Sequence, residues 1–277
     1  MARISDEAKN RYAERITEYK KTVERLLREE KAVVDSLADG AEAIPYKRID
    51  LSEKMLDLVS YYVLMNSTSA FLLGVKNETY LNAARKACYK SIIYLEETLS
   101  SLIDAPFSDY EEKLVAVEKY EDAKRLALLK KLGFSIQSII DGFGENTKWK
   151  WAFVELEGRF ATVAKNFLDL RSLLAGMDPR SPGYEARTEH FGLVKKLLQN
   201  SADKYRQKYE LSTHRIDDFK IAIDFLGGLR RLHVLVGDAN EAQAMKKKID
   251  IWRAKMETDS RKLEQRAKGE RAPKNPE

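Results

Sequence analysis

The sequence predicts an all-α fold, an elongated bundle of about eight long antiparallel helices with coiled-coil-like seams. Apolar residues recur at steps of three and four through long stretches, and no strand-length alternating segment competes with them. Only 13 Gly and 6 Pro occur in 277 residues, too few turn formers for an all-β chain. The clearest stripe runs Trp149, Phe153, Leu156, Phe160, Val163, Phe167, Leu170, Leu174. A stripe held over about four heptads needs a partner helix to cover it.

Each element has its own signals. Ser5 before Asp6 and Glu7 opens the first helix, because a hydroxyl and early acids satisfy free N–H groups and the dipole. Its stripe is Tyr12, Ile16, Tyr19, Val23, Leu26, Val33, Leu37. Glu30 fills the missing position, so the seam there is wet or paired with a cation. Asp39-Gly40 ends it. Pro45 falls in the linker, and Asp50 with Glu53 reads as a capping box for a second helix to about Val75. Asn77 caps a third, which stops before Pro106. Ser108 with Glu111 opens a fourth, through Leu114, Leu128 and Leu132 to about Ile140.

Residues 142–146 are a break, with Asn146 or Thr147 capping a fifth helix that ends at Gly176. Ser181 as cap and Pro182 at the first helical position start the sixth. Its stripe is Phe191, Val194, Leu198, Ala202, Tyr205, Tyr209. A seventh, from about Thr213, carries Gly227-Gly228 inside it and ends at Gly237. Two glycines there cost roughly 1–2 kcal/mol against alanine, so close packing or a kink should compensate. Asp238 with Glu241 opens the last helix, striped by Met245, Ile249, Trp252, Met256 and Leu263. The expected organisation is one bundle over 1–267, with a candidate sub-boundary near 142–147, and a disordered basic tail over 268–277.

Composition bounds the chemistry. The chain is 44% apolar and 34% charged, which implies extensive solvated helix faces. One cysteine, Cys88, excludes an internal disulfide framework and suits a reducing, cytoplasmic setting, and the first ten residues hold no apolar signal segment. Leu58–Val75 is uncharged and just reaches spanning length, but Asn66 and several hydroxyls favour the centre of a bundle. The net charge of +5 lies wholly after Ala242: residues 243–277 hold 11 Lys+Arg against 6 Asp+Glu, leaving 38 of each before them.

No catalytic set, cofactor or metal site is expected. The three histidines lack inward-ligand spacing, and His214 with Asp218, one turn apart, reads as a surface pair. Gly142-Phe143-Gly144 lacks the rest of a phosphate loop. Asn77-Glu78-Thr79 reads as a cap before a glycosylation site. The leading expectation is a non-enzymatic scaffold or interaction protein that binds a protein partner or itself. Its candidate surface is the two terminal stripes, Tyr12, Ile16, Tyr19, Val23 and Met245, Ile249, Trp252, Met256. An alternative is weak binding of a polyanion, nucleic acid or acidic membrane, by Lys246, Lys247, Lys248, Arg253, Lys255, Arg261 and Lys262. A second alternative is an apolar ligand held between the Leu58–Val75 helix and the Trp149 helix. No small-molecule substrate is indicated.

Overall fold

The computed structural model describes residues 4–39, 44–144 and 147–271. Among them are ten α-helices and no strand. They are α1 (Asp6–Asp35), α2 (Ile44–Leu73), α3 (Glu78–Thr98), α4 (Glu111–Val115), α5 (Asp122–Phe143), α6 (Lys150–Asn166), α7 (Leu170–Ala175), α8 (Tyr184–Lys208), α9 (Ile216–Leu235) and α10 (Ala239–Arg271). The chain forms two compact units, 1–102 with 106–194, and 103–105 with 195–277. None of the described helices is long and apolar enough to cross a membrane. Gly40 and Asn146 of the expected breaks and residues 272–277 of the expected tail lie outside the described residues.

In the first unit α2 packs against α1, α3 and α5, which is why its sequence is apolar on several sides. Ser52 bonds Ser91 at 2.8 Å, while Asn66 Oδ1 accepts from the Asn77 amide at 2.8 Å. Later residues of α2 thus meet earlier ones of α3, an antiparallel hairpin. Ser5 accepts from Ala8, and Asn77 from Thr79 and Tyr80, so both caps form as their residue types demand. Glu30 is buried and holds a cation: Lys90 Nζ lies 2.5 Å from its carboxylate, and the Tyr94 hydroxyl donates to it at 2.5 Å. Burial, then that bond, pushes the Tyr94 phenol up.

Two of the eight expected helices are each broken in two. The fourth becomes α4 and α5, and the fifth becomes α6 and α7. Ser108 caps nothing; its hydroxyl bonds Asp109, and α4 begins without a side-chain cap. At the second break Asp169 accepts from Arg171 and Ser172, a proper cap that starts α7 inside the apolar stripe. Carbonyls beside both breaks converge on Arg125, which is buried and donates to Val117 at 3.0 Å, Tyr120 at 2.7 Å and Phe167 at 3.3 Å. Two further starts differ from expectation. Pro45 lies in the first turn of α2, where its missing N–H costs nothing, so Asp50 and Glu53 sit within the helix. α8 begins after Gly183, whose φ of +77° favours glycine, and Ser181 instead donates to the carbonyls of Gly176 and Asp178.

α6 is buried almost all round in its second half, with Phe160, Val163, Ala164 and Asn166 enclosed and Phe167 following. His190 of α8 reaches into this region and bonds the Ala164 carbonyl at 2.9 Å. In the second unit α9 and α10 pair across the short turn at Gly237.

Phe160 should therefore tolerate truncation poorly. Phe160→Ala should cost roughly 3–5 kcal/mol in chemical denaturation, the range for an unfilled aromatic cavity, with far-UV helicity retained. His190 supplies a pH test. Burial, ahead of the opposing Ala164 bond, depresses its pKa to about 4, below the ordinary value of 6.5. The unfolded chain therefore binds the extra proton first as pH falls. The stability is complete above about pH 6.5 and is lost as pH drops towards 4. Urea unfolding at pH 5 should show about 2 kcal/mol less stability than at pH 7, a difference that His190→Gln should largely remove.

Candidate functional site

The terminal stripes are covered within their own units. Ile16 and Val23 are buried, Tyr12 and Tyr19 are half-buried, and the Tyr19 ring lies 6.1 Å from Tyr61 of α2. Burial raises the Tyr12 phenol, whose hydroxyl faces Tyr80 and Ser69. On α10, Ile249 and Trp252 are buried and Met245 and Met256 half-buried. Trp252 lies 5.9 Å from Phe219, with Arg206 at 5.0 Å and Lys248 at 4.9 Å from its ring. Ile16, Val23, Ile249 and Trp252 of the expected docking surface thus pack internally, α1 on α2 and α10 on α9, while Tyr12, Tyr19, Met245 and Met256 keep part of their surface open. The apolar edge of each stripe had a partner nearby in the chain, which a stripe alone does not reveal.

The α10 cations divide between two flanks of this seam, because a helix turns 100° per residue. Lys248, Lys255 and Lys262 lie on one side, and Lys246 and Arg253 on the other; Lys247 and Arg261 are exposed. Lys248 pairs with Asp203 and Lys255 with Asp259, both at 3.1 Å.

Lys255 and Lys262 border a cleft of about 500 Å³ with Tyr209, Glu210, His214 and Asp259. Its wall is a π-turn over Tyr209–Thr213, closed by His214 in the left-handed region at φ 49°. The wide turn aims Tyr209 at α10, where its hydroxyl donates to Asp259 at 2.9 Å and its ring stacks on Phe219 at 4.9 Å. Burial, then Asp259, pushes the phenol up to about 12. The expected His214–Asp218 pair does not form. Asp218 is instead taken by Lys208 at 2.8 Å and Thr213 at 2.6 Å, which the left turn at His214 permits. No group of three metal-ligating side chains occurs among the described residues.

Lys246 and Arg253 face a second recess of about 300 Å³, with Arg230 and Arg231 opposite on α9. Asp104 lies against Gly227 here, so closely that a Cβ at Gly227 would stand 2.6 Å from its carboxylate. The glycine is thereby explained: it admits the Asp104–Arg231 ion pair, which closes at 2.9 Å.

The first unit carries a different surface, absent from the sequence-based candidates. Phe71 of α2 is 86% exposed and Phe134 of α5 is 74% exposed, with Leu64 and Val75 also open. Between α2 and α5 runs an apolar groove of about 290 Å³, lined by Val59, Val63, Leu64, Phe134 and three serines. It is not the recess expected beside the Trp149 helix. The burial of α2 here is inverted. Asn66, Thr68 and Ser69 point inward and are bonded, while Leu64 and Phe71 point out. In the sequence, the uncharged run over 58–75 was the available signal. Trp149, the first residue of the expected seam, is engaged by Arg85 at 4.1 Å from its ring.

Fold and surfaces together define an all-α helical bundle protein with an open apolar groove and mixed-charge recesses. The chain belongs to the TP0443 family, whose sequence model spans residues 8–260. No curated protein and no solved structure matches it.

Because Ile16 and Ile249 are buried, Ile16→Glu and Ile249→Glu should each lower the thermal midpoint and the helicity of the unit they sit in. A buried unpaired charge costs several kcal/mol. Circular dichroism with light scattering reads this. Folded variants of reduced mass would instead mean that the stripes join subunits.

Proposed function

We propose that this protein is a non-enzymatic helical scaffold that docks a helix of a protein partner, or of a second copy, onto the α2–α5 face in the cytoplasm. The observation that carries the reading is the polarity of the last turns of α2, where Asn66, Thr68 and Ser69 are enclosed while Leu64 and Phe71 face solvent. Leaving Leu64 and Phe134 open in the groove, with Phe71 open two turns further along α2, forgoes roughly 1.5–3 kcal/mol per side chain that burial would return. The groove between two packed helices has the shape that accepts a third, whose apolar residues at helical spacing would fill it. Its lining has no charged residue, which favours an apolar partner stripe over an ionic one. The lone thiol of Cys88, buried and raised to about 12, fits a reducing compartment. An apolar small molecule could use the same groove. Polyanion binding along α10 has weaker support, since its cations are split between flanks and two are engaged by carboxylates.

Phe71→Glu with Phe134→Glu separates these readings from a solvated face. Both side chains are open, so helicity and thermal midpoint should stay near wild type. Affinity capture from the source cell should lose a defined partner, or light scattering should show an oligomer dissociating by at least tenfold in affinity. A wild type that is monomeric and captures the same proteins as the double variant would sink the docking reading. A copurifying apolar compound in the native mass spectrum would transfer the groove to a ligand.

A further inference from the structure

We propose that the recess between α9 and α10 binds a small phosphomonoester carrying hydroxyl groups, with its phosphate seated among Arg230, Lys246 and Arg253. This inference is independent of the α2–α5 face. The three cations border one recess of about 300 Å³. None of them has an ion-pair partner within 4.0 Å among the described residues, whereas Arg231 beside them is neutralised by Asp104 at 2.9 Å. The Asp104–Arg231 pair sits in the wall, wedged against Gly227, and fixes that side of the recess. Cations without ion partners around one recess are groups that charge-assisted bonds to phosphate oxygens can use.

The remaining lining sets the rest of the ligand. Asp250 borders the same recess, and the charge of Arg253 acts on the Asp224 carboxylate, opposing the effect of its burial. A purely anionic ligand would be repelled by Asp250, but a hydroxyl group would donate to it. Val234 and Ile249 add an apolar surface for a carbon skeleton. A sugar phosphate meets all three conditions. A polyanion does not, because the other α10 cations, Lys255 and Lys262, line a different cleft.

Isothermal titration of the full chain with glucose monophosphate, glucose and inorganic phosphate tests this. Saturable binding is expected for the phosphomonoester, weaker binding for phosphate, and none for glucose. Arg253→Gln and Arg230→Gln are both surface changes. Each should weaken glucose monophosphate by about tenfold, the loss expected for one charge-assisted contact. Lys262→Gln, on the other flank, should leave it unchanged. Absent saturation, or affinity indifferent to Arg230 and Arg253, overturns the proposal. So does duplex DNA binding that competes with the sugar phosphate and falls equally in Lys262→Gln, which would assign a diffuse polyanion surface.

Discussion

The first unit turns on one buried guanidinium. Arg125 closes the turn after α4 through the carbonyls of Val117 and Tyr120 and the end of α6 through that of Phe167. Helix ends leave carbonyls without intrahelical partners, and a buried end needs a donor brought to it. One side chain with five N–H groups meets two such ends at once. Its ring contacts extend this: Arg125 lies 5.3 Å from the Phe167 ring, which stacks on Tyr120 at 5.8 Å. Burial lowers the Arg125 pKa, and the nearby carboxylates of Asp122 and Asp169 oppose that. Asp122 in turn holds Arg187 at 2.8 Å, which ties α8 to the start of α5. The hydrogen bonds of Arg125 and of the Arg187 terminal nitrogens are what make this buried charge tolerable.

The second unit solves the same problem of uncovered ends with aromatic packing. Tyr209, Phe219 and Trp252 form a continuous aromatic cluster between the π-turn, α9 and α10. Arg206 and Lys248 lie over the Trp252 ring, where their stems cover apolar surface and their charges meet the ring face. Part of the positive charge concentrated in this helix is thus structural. What remains unpaired collects on its flanks, and the two recesses there differ in chemistry because the seam separates them.

Polarity along α2 shows a conflict between stability and surface. Asn66 and Ser69 satisfy backbone groups at the α2–α3 turn: Asn66 accepts from the Asn77 amide, and Ser69 donates to Val75. Rotating α2 to bury Phe71 would withdraw both. The turn's hydrogen bonds therefore fix the helix rotation, and the apolar face opposite is left to solvent or a partner. Local backbone satisfaction outranks one side chain's burial here, since an unmet buried polar group costs about as much as that burial gains.

The sequence by itself determined the helices. Steps of three and four, with Ser5, Asn77 and Asp238 as caps, are local properties of consecutive residues, and they placed the secondary structure of most of the chain. It also marked Glu30 as a carboxylate in a seam that must be wet or paired with a cation, and the structure pairs it with Lys90. Tertiary structure decided where helices break and which faces stay open. The breaks at 116–121 and 167–169 depend on Arg125 reaching both from a third position, a contact over 42 residues that no window of sequence contains. The exposure of Phe71 and Phe134 likewise depends on which neighbours α2 and α5 acquire. A stripe announces that a helix wants cover, but only the packed chain determines which stripe receives it.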